Sequence, residues 1–146
     1  MNDTKTIYNQ NAYQWDRNSP NSLSDFTARP YIFDLCGNVE GKTILDIGCG
    51  EGYCSRYLKQ NKKAGKIIGI DISEKMVEIA KAKNNKLGLD IHYIAGDIND
   101  YIPDESSIDL ALGIFVYNYL DIQAMQKSME IVFKALKKSG RFIFAV

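Results

Sequence analysis

Apolar and polar positions along this chain fall into blocks, and the blocks change period. Short apolar runs recur at 43–47, 66–72, 91–95, 108–114 and 141–146. Runs of that length, rich in Ile and bounded by turn residues, read as buried strands. Between them the period lengthens to three and four. Met76, Val77, Ile79 and Ala80 form one apolar side behind Ser73, a good N-cap residue. Met125, Met129, Val132, Phe133 and Leu136 recur over 122–137, a helix that Gly140 is expected to end. Residues 52–60 have helical texture, and 31–36 read as a short helix begun by Pro30 and stopped by Gly37. Strands alternating with helices predict an α/β fold, a doubly wound parallel sheet with helices on both faces. Right-handed crossovers and one reversal give the strand order 3-2-1-4-5. The reversal lies between the first and fourth strands, and ligands of such sheets bind there, past the carboxyl ends of the strands. Residues 1–30 have another texture: polar, rich in Asn and Ser, and carrying Tyr8, Tyr13, Trp15 and Phe26. They read either as a cap over the remaining domain, 31–146, or as a partly disordered tail.

Charge narrows the partners. Lys+Arg and Asp+Glu are both 18, so the formal net charge is zero and nothing favours nucleic acid or an anionic membrane. The one dense basic cluster, Lys59, Lys62, Lys63 and Lys66, reads as the solvated end of a helix. Cys36, Cys49 and Cys54 are odd in number and lack paired CxxC spacing, which argues against a disulfide framework and against a structural metal, and suggests a cytoplasmic protein. Residues 1–10 lack the apolar core of a signal peptide, and the longest apolar stretch, 108–116, is too short to span a bilayer.

The first crossover carries Asp46-Ile47-Gly48-Cys49-Gly50-Glu51-Gly52. Glycines between a strand and a helix permit a sharp turn with no Cβ in the way, so a ligand can lie against backbone. A dinucleotide fingerprint, GxGxxG, would place its third glycine where Tyr53 stands. Asp46, ending the strand, is a poor neighbour for pyrophosphate and a good acceptor for an ammonium group. Asp71 closes the second strand at about the 20-residue spacing of a ribose-binding acid, and Asp97 follows the third strand. His92, the only histidine, sits inside the third strand, remote from the strand ends. Cys49 and Cys54 have no base beside them in sequence and read as small loop and helix residues.

Residues 44–52, ILDIGCGEG, resemble motif I of the class I (Rossmann-like) S-adenosylmethionine-dependent methyltransferases. The resemblance implies that Asp46, Gly48, Cys49 and Gly50 run along the methionine and ribose parts of that cofactor. Residues 69–73, GIDIS, followed by Met76, resemble motif II, which implies Asp71 on the ribose with Ile72 and Met76 flanking the adenine. Asp97 would then meet the adenine amino group and Ile98 cover the ring. Residues 109–120 resemble motif IV and its exit loop. Gly113 would stand beside the methyl group, with Tyr117, Asn118 and Tyr119 as candidates for orienting an acceptor; packing or capping is the other role open to each. Residues 8–16 resemble the N-terminal lid of many small-molecule methyltransferases, with Tyr13 sharing a helical side with Tyr8, and Arg29 reaching the cofactor carboxylate.

The family's sheet continues with a helix and two more strands, so the fold is expected to be truncated before them. The free edge of the fifth strand then invites self-association. The function these residues imply is in-line methyl transfer from S-adenosylmethionine to a small-molecule acceptor, with no general base assignable. A fragment or module that holds the cofactor without turnover is the alternative, and a nicotinamide-type dehydrogenase is disfavoured by Tyr53.

Overall fold

A computed structural model describes residues 2–17 and 19–146. The five apolar runs become strands β1 (Thr43–Ile47), β2 (Lys66–Asp71), β3 (His92–Ala95), β4 (Ile108–Ile114) and β5 (Leu136–Ala145). They form one parallel sheet in the order β3-β2-β1-β4-β5, as the alternation of strand and helix predicts. The period of two along each strand divides the core between the faces. Ile44, Ile67, Leu110 and Leu112 pack with α3 (Ala28–Cys36), α4 (Tyr53–Asn61) and α5 (Glu74–Lys86). Leu45, Ile47, Ile68, Ile70 and Ala111 pack with α6 (Ile122–Ala135) on the other face. Burying each of these Ile and Leu side chains contributes about 1.5–3 kcal/mol, so the sheet centre anchors everything at its rim.

Two boundaries differ from expectation. The helix predicted over 122–137 ends at Ala135, and β5 begins at Leu136 rather than at 141. Leu136 pairs with Ile108, the register then shifts, and Arg141 comes opposite Leu110. Gly140 therefore serves a strand irregularity, not a helix end. A Cβ there would lie 2.9 Å from the Lys137 carbonyl oxygen and 3.0 Å from that of Ile108. Helix α3 begins at Ala28, three residues early, and holds Pro30 in its first turn, where a missing N–H costs nothing. It stops at Gly37, φ +64°, as predicted.

The N-terminal segment forms α1 (Asn2–Asn11), a 3-10 turn (Ala12–Trp15) and the short α2 (Leu23–Phe26) ahead of α3; Met1 and Asn18 lie outside the described residues. Among the described residues strand β5 pairs with β4 alone, at the edge of the sheet, and its Phe144 is exposed. Among the described residues no helix is long and apolar enough to cross a membrane, and no cluster of three or more His, Cys, Asp or Glu is placed to hold a metal ion.

Candidate cofactor site

The loop after β1 turns back on itself through glycines. Gly48 and Gly50 have φ of +67° and +56°, the left-handed region that L side chains rarely adopt. A Cβ on Gly48 would lie 2.8 Å from the Val116 side chain, and one on Gly50 would lie 3.2 Å from Met76 Cε. The N–H groups of Gly48 and Cys49 both donate to the Ile70 carbonyl, at 2.8 and 3.1 Å, stitching the loop to the end of β2.

Three carboxylates stand at the strand ends. Asp71 accepts the Gly50 N–H at 2.8 Å on one oxygen and the Ser73 N–H at 2.9 Å on the other. Burial pushes its carboxyl up, against the pull of those two N–H groups. Asp46 is buried and accepts the Ser55 hydroxyl at 2.6 Å. Burial pushes it up to about 6, with the Ser55 hydroxyl opposing and the charge of Asp71 adding. Asp97 caps the short 3-10 turn Ile98–Asp100 by accepting the Asn99 N–H at 2.9 Å. Ser73 caps α5 by accepting the Met76 N–H at 3.2 Å, which fixes the buried Met76 beside the loop.

These groups surround a cleft of about 440 Å³ between the strand ends and the N-terminal segment, within the usual range for small-molecule sites. Its walls bring together Asp46, Gly48, Cys49, Gly50, Asp71, Ile72, Met76, Asp97 and Ile98, with Arg29 from α3 and Asn118 and Tyr119 after β4. Burial pushes the Cys54 thiol up to about 12 and that of Cys49 well above its ordinary value, so neither is a poised nucleophile.

Three residues singled out in the sequence lie elsewhere. Tyr117 is 3% exposed, packs edge-on against Phe142 and Phe144, and shares a 2.9 Å hydrogen bond with the Ser128 hydroxyl. It joins α6 to the sheet instead of facing an acceptor. Gly113 lies beneath that ring, where a Cβ would come within 2.5 Å of Tyr117 Cε2. Tyr13 points to solvent, 72% exposed. Helix α1 ends at Asn11 and the chain tightens into a 3-10 turn, so Tyr13 leaves the side of the helix on which Tyr8 sits.

Tyr8 and Trp15 line the cleft in its place, and a charge network holds the segment down. Arg17 donates to Asp25 at 2.8 Å and to Glu51 of the glycine loop at 3.2 Å. Arg29 also donates to Asp25 at 2.8 Å, while Arg56 and Lys83 reach Glu51 at 2.5 and 3.1 Å. Arg17, Asp25, Glu51 and Arg56 are all buried. Farther along, Asn9 Oδ1 accepts the Ser73 hydroxyl at 2.7 Å and the Lys75 N–H at 3.2 Å, and the Tyr8 hydroxyl donates to that of Tyr119 at 3.0 Å. Helix α1 thus lies across the strand ends, from the start of α5 to the exit of β4. Of these six charged residues, sequence reasoning singled out only Arg29 and missed the roles of the other five. In sequence each resembles an ordinary surface charge, and Glu51 alone stood inside a motif.

A parallel sheet in this order, with a glycine loop and acids at the ends of β1 and β2, defines a Rossmann-like domain of the methyltransferase type. Residues 44–140 match the methyltransferase domain family, and the chain belongs to that family. It is 30% identical over 155 residues to an uncharacterized protein of Haemophilus influenzae, a match covering 99% of this chain and 59% of the relative. It is 24% identical to the carboxy-S-adenosyl-L-methionine synthase of Campylobacter jejuni, over 91% of this chain and 60% of that enzyme. Among solved structures it resembles an S-adenosylmethionine-dependent methyltransferase from Aquifex aeolicus, with a TM-score of 0.76 and 25% identity, over 92% of this chain and 70% of that one. The chain spans about three fifths of the length of the curated relatives it matches.

Proposed function

We propose that the protein binds S-adenosylmethionine in this cleft and transfers its methyl group to a small-molecule acceptor. The observation that carries the reading is the bond between the Gly50 N–H and Asp71. It draws a left-handed glycine loop and the acid ending β2 into one rigid cradle. The cradle suits the cofactor: Gly48 and Gly50 leave backbone bare, and each Asp71 oxygen keeps acceptor capacity for a ribose hydroxyl. Asp46 receives the ammonium group, Asp97 the adenine amino group, and Ile72, Met76 and Ile98 enclose the ring. Arg29 Nε is buried with no hydrogen-bond partner among the described residues, which suits the cofactor carboxylate.

When bound, the cofactor supplies a methyl group already activated on a sulfonium. The chain's own task is then alignment and exclusion of water, which depends on proximity more than on acid–base chemistry. The N-terminal segment serves as the lid, held by Asn9 and Tyr8. The three buried free thiols fit a reducing compartment such as the cytoplasm.

Calorimetric titration tests the binding. S-adenosylmethionine and S-adenosylhomocysteine should bind and NAD should not. Asp71→Asn should weaken binding by about 1.5–3 kcal/mol, the range for a hydrogen bond to a charged group. Preference for NAD, or unchanged affinity in the variant, overturns the assignment. Turnover with a labelled methyl donor separates an enzyme from a module that only holds the cofactor.

A further inference from the structure

One side of the cleft is walled by rings. Tyr8 and Trp15 come from the N-terminal segment and Tyr119 from the exit of β4. The Tyr8 ring meets that of Trp15 at 6.1 Å between centroids and that of Tyr119 edge-on at 5.8 Å. Each ring carries a negative π-face, to which a cation within reach is attracted.

The charges around the cleft point the same way. Of its two guanidinium groups, Arg17 is paired with Asp25 and Glu51 and Arg29 with Asp25, and the Nε left on Arg29 goes to the cofactor carboxylate on the proposed reading. Asp46, Asp71 and Asp97 take their hydrogen bonds from a hydroxyl and from backbone N–H groups, and on the proposed reading all three are engaged by the cofactor. With the cofactor in place, an acceptor bearing a phosphate or carboxylate would meet no unengaged cation among the described residues lining the cleft. Among the described residues lining the cleft there is no His and no Lys. The phenol of Tyr8 is held well above its ordinary value by burial and by its bond to Tyr119, so it stays neutral.

We infer that the acceptor is an amine, and that Tyr8, Trp15 and Tyr119 form the wall that recognises it. The inference rests on the proposal that this cleft holds S-adenosylmethionine. Its chemistry needs no base during attack. The nitrogen lone pair forms the new C–N bond, the S–C bond breaks with its electron pair passing to sulfur, and the positive charge moves from sulfur to nitrogen. An amine that arrives protonated first gives that proton to water. An aromatic enclosure without an unengaged cation holds a cation before and after such a transfer, whereas an oxygen nucleophile would need a group to take its proton.

The test is a matched set of probes on the protein saturated with S-adenosylhomocysteine: benzyltrimethylammonium, benzyl alcohol and benzoate, followed by calorimetry. Benzyltrimethylammonium should bind tighter than benzoate by about tenfold or more, the cation–π scale for a partly desolvated site, with the alcohol between. In Tyr8→Leu and Tyr119→Leu that preference should fall to near parity. Tyr119→Phe keeps the ring and loses only the phenol–phenol bond, so it should retain the preference. It also guards against a leucine variant that fails to fold. Benzoate binding as well as the ammonium, a preference unchanged in both leucine variants, or a preference lost in Tyr119→Phe would each overturn the inference. Failure of S-adenosylhomocysteine to bind at all is read first and separately. It sinks the cofactor assignment and this inference with it.

Discussion

The glycine loop reaches the cleft with bare backbone, whereas the N-terminal segment reaches it with long side chains. On the floor, Gly48, Cys49 and Gly50 are fixed by hydrogen bonds to the adjacent strand end, at Ile70 and Asp71. Over the roof, Arg17 and Asn9 are fixed by partners tens of residues away in the chain. The floor is therefore shaped before any ligand arrives, by φ angles, sterics and short-range backbone hydrogen bonds. The roof is shaped by buried charges, each costly to desolvate and each useful only while its partners are present. On the proposed reading, the floor holds the cofactor in a fixed shape and the roof is the half that lifts.

The largest effect should come from spoiling the floor. Gly50→Val puts a branched side chain at φ +56° and against Met76. The left-handed backbone alone costs about 1–2 kcal/mol for an L residue, and the branches enter the cleft. S-adenosylhomocysteine binding should vanish at concentrations that saturate the wild type, while circular dichroism shows the sheet intact. Normal binding by a folded variant would mean the loop is not part of the site.

A smaller effect should come from the roof. Arg17→Met keeps a long side chain but leaves Asp25 and Glu51 each short of one buried partner. Removing one member of a buried pair costs about 3–5 kcal/mol, and here the lower end applies, because Arg29, Arg56 and Lys83 remain. Urea denaturation should record the loss, and stopped-flow release of S-adenosylhomocysteine should be faster. If stability falls and release is unchanged, the segment is a brace and not a lid.

The smallest and most specific effect is a pH dependence on the floor. Asp46 is raised to about 6 in the folded protein by burial, from 3.8 when free. As pH climbs through that window the unfolded chain loses this proton first, so it binds fewer protons than the folded one and stability falls. The contribution is fully favourable at the acid end of the window and spent by the top of it. Asp46→Asn accepts the Ser55 hydroxyl without titrating. Its urea midpoint should lose less than that of the wild type between pH 4.5 and pH 7. Parallel curves for the two proteins would show that Asp46 ionises as freely in the folded state as in the unfolded one.

Much of this architecture was legible along the chain. Short Ile-rich runs alternating with helical periods carried the five strands and their order, because strand and helix periodicities depend on near neighbours. The glycine loop, Asp46, Asp71 and Asp97 were legible for a related reason: a bare turn after a strand, with acids at successive strand ends, is a local pattern. The corner at Leu136 was not. The helix period runs on through Leu136, but its pairing with Ile108, the register shift and the close approach of the Ile108 carbonyl to Gly140 belong to another strand.

By itself, then, the sequence determined the sheet, the bare loop and the acids that ring it, since each follows from spacing and from what a backbone without Cβ can do. Only the tertiary structure decided which aromatic residues face the cleft. Tyr8 and Tyr119 do, while Tyr13 turns to solvent and Tyr117 packs between α6 and β5. It alone decided that Arg17, Asp25, Glu51 and Arg56 are buried partners and not a solvated surface. A side chain's identity states what it can bond to. Whether water or a distant residue supplies that bond depends on contacts between segments far apart in the chain.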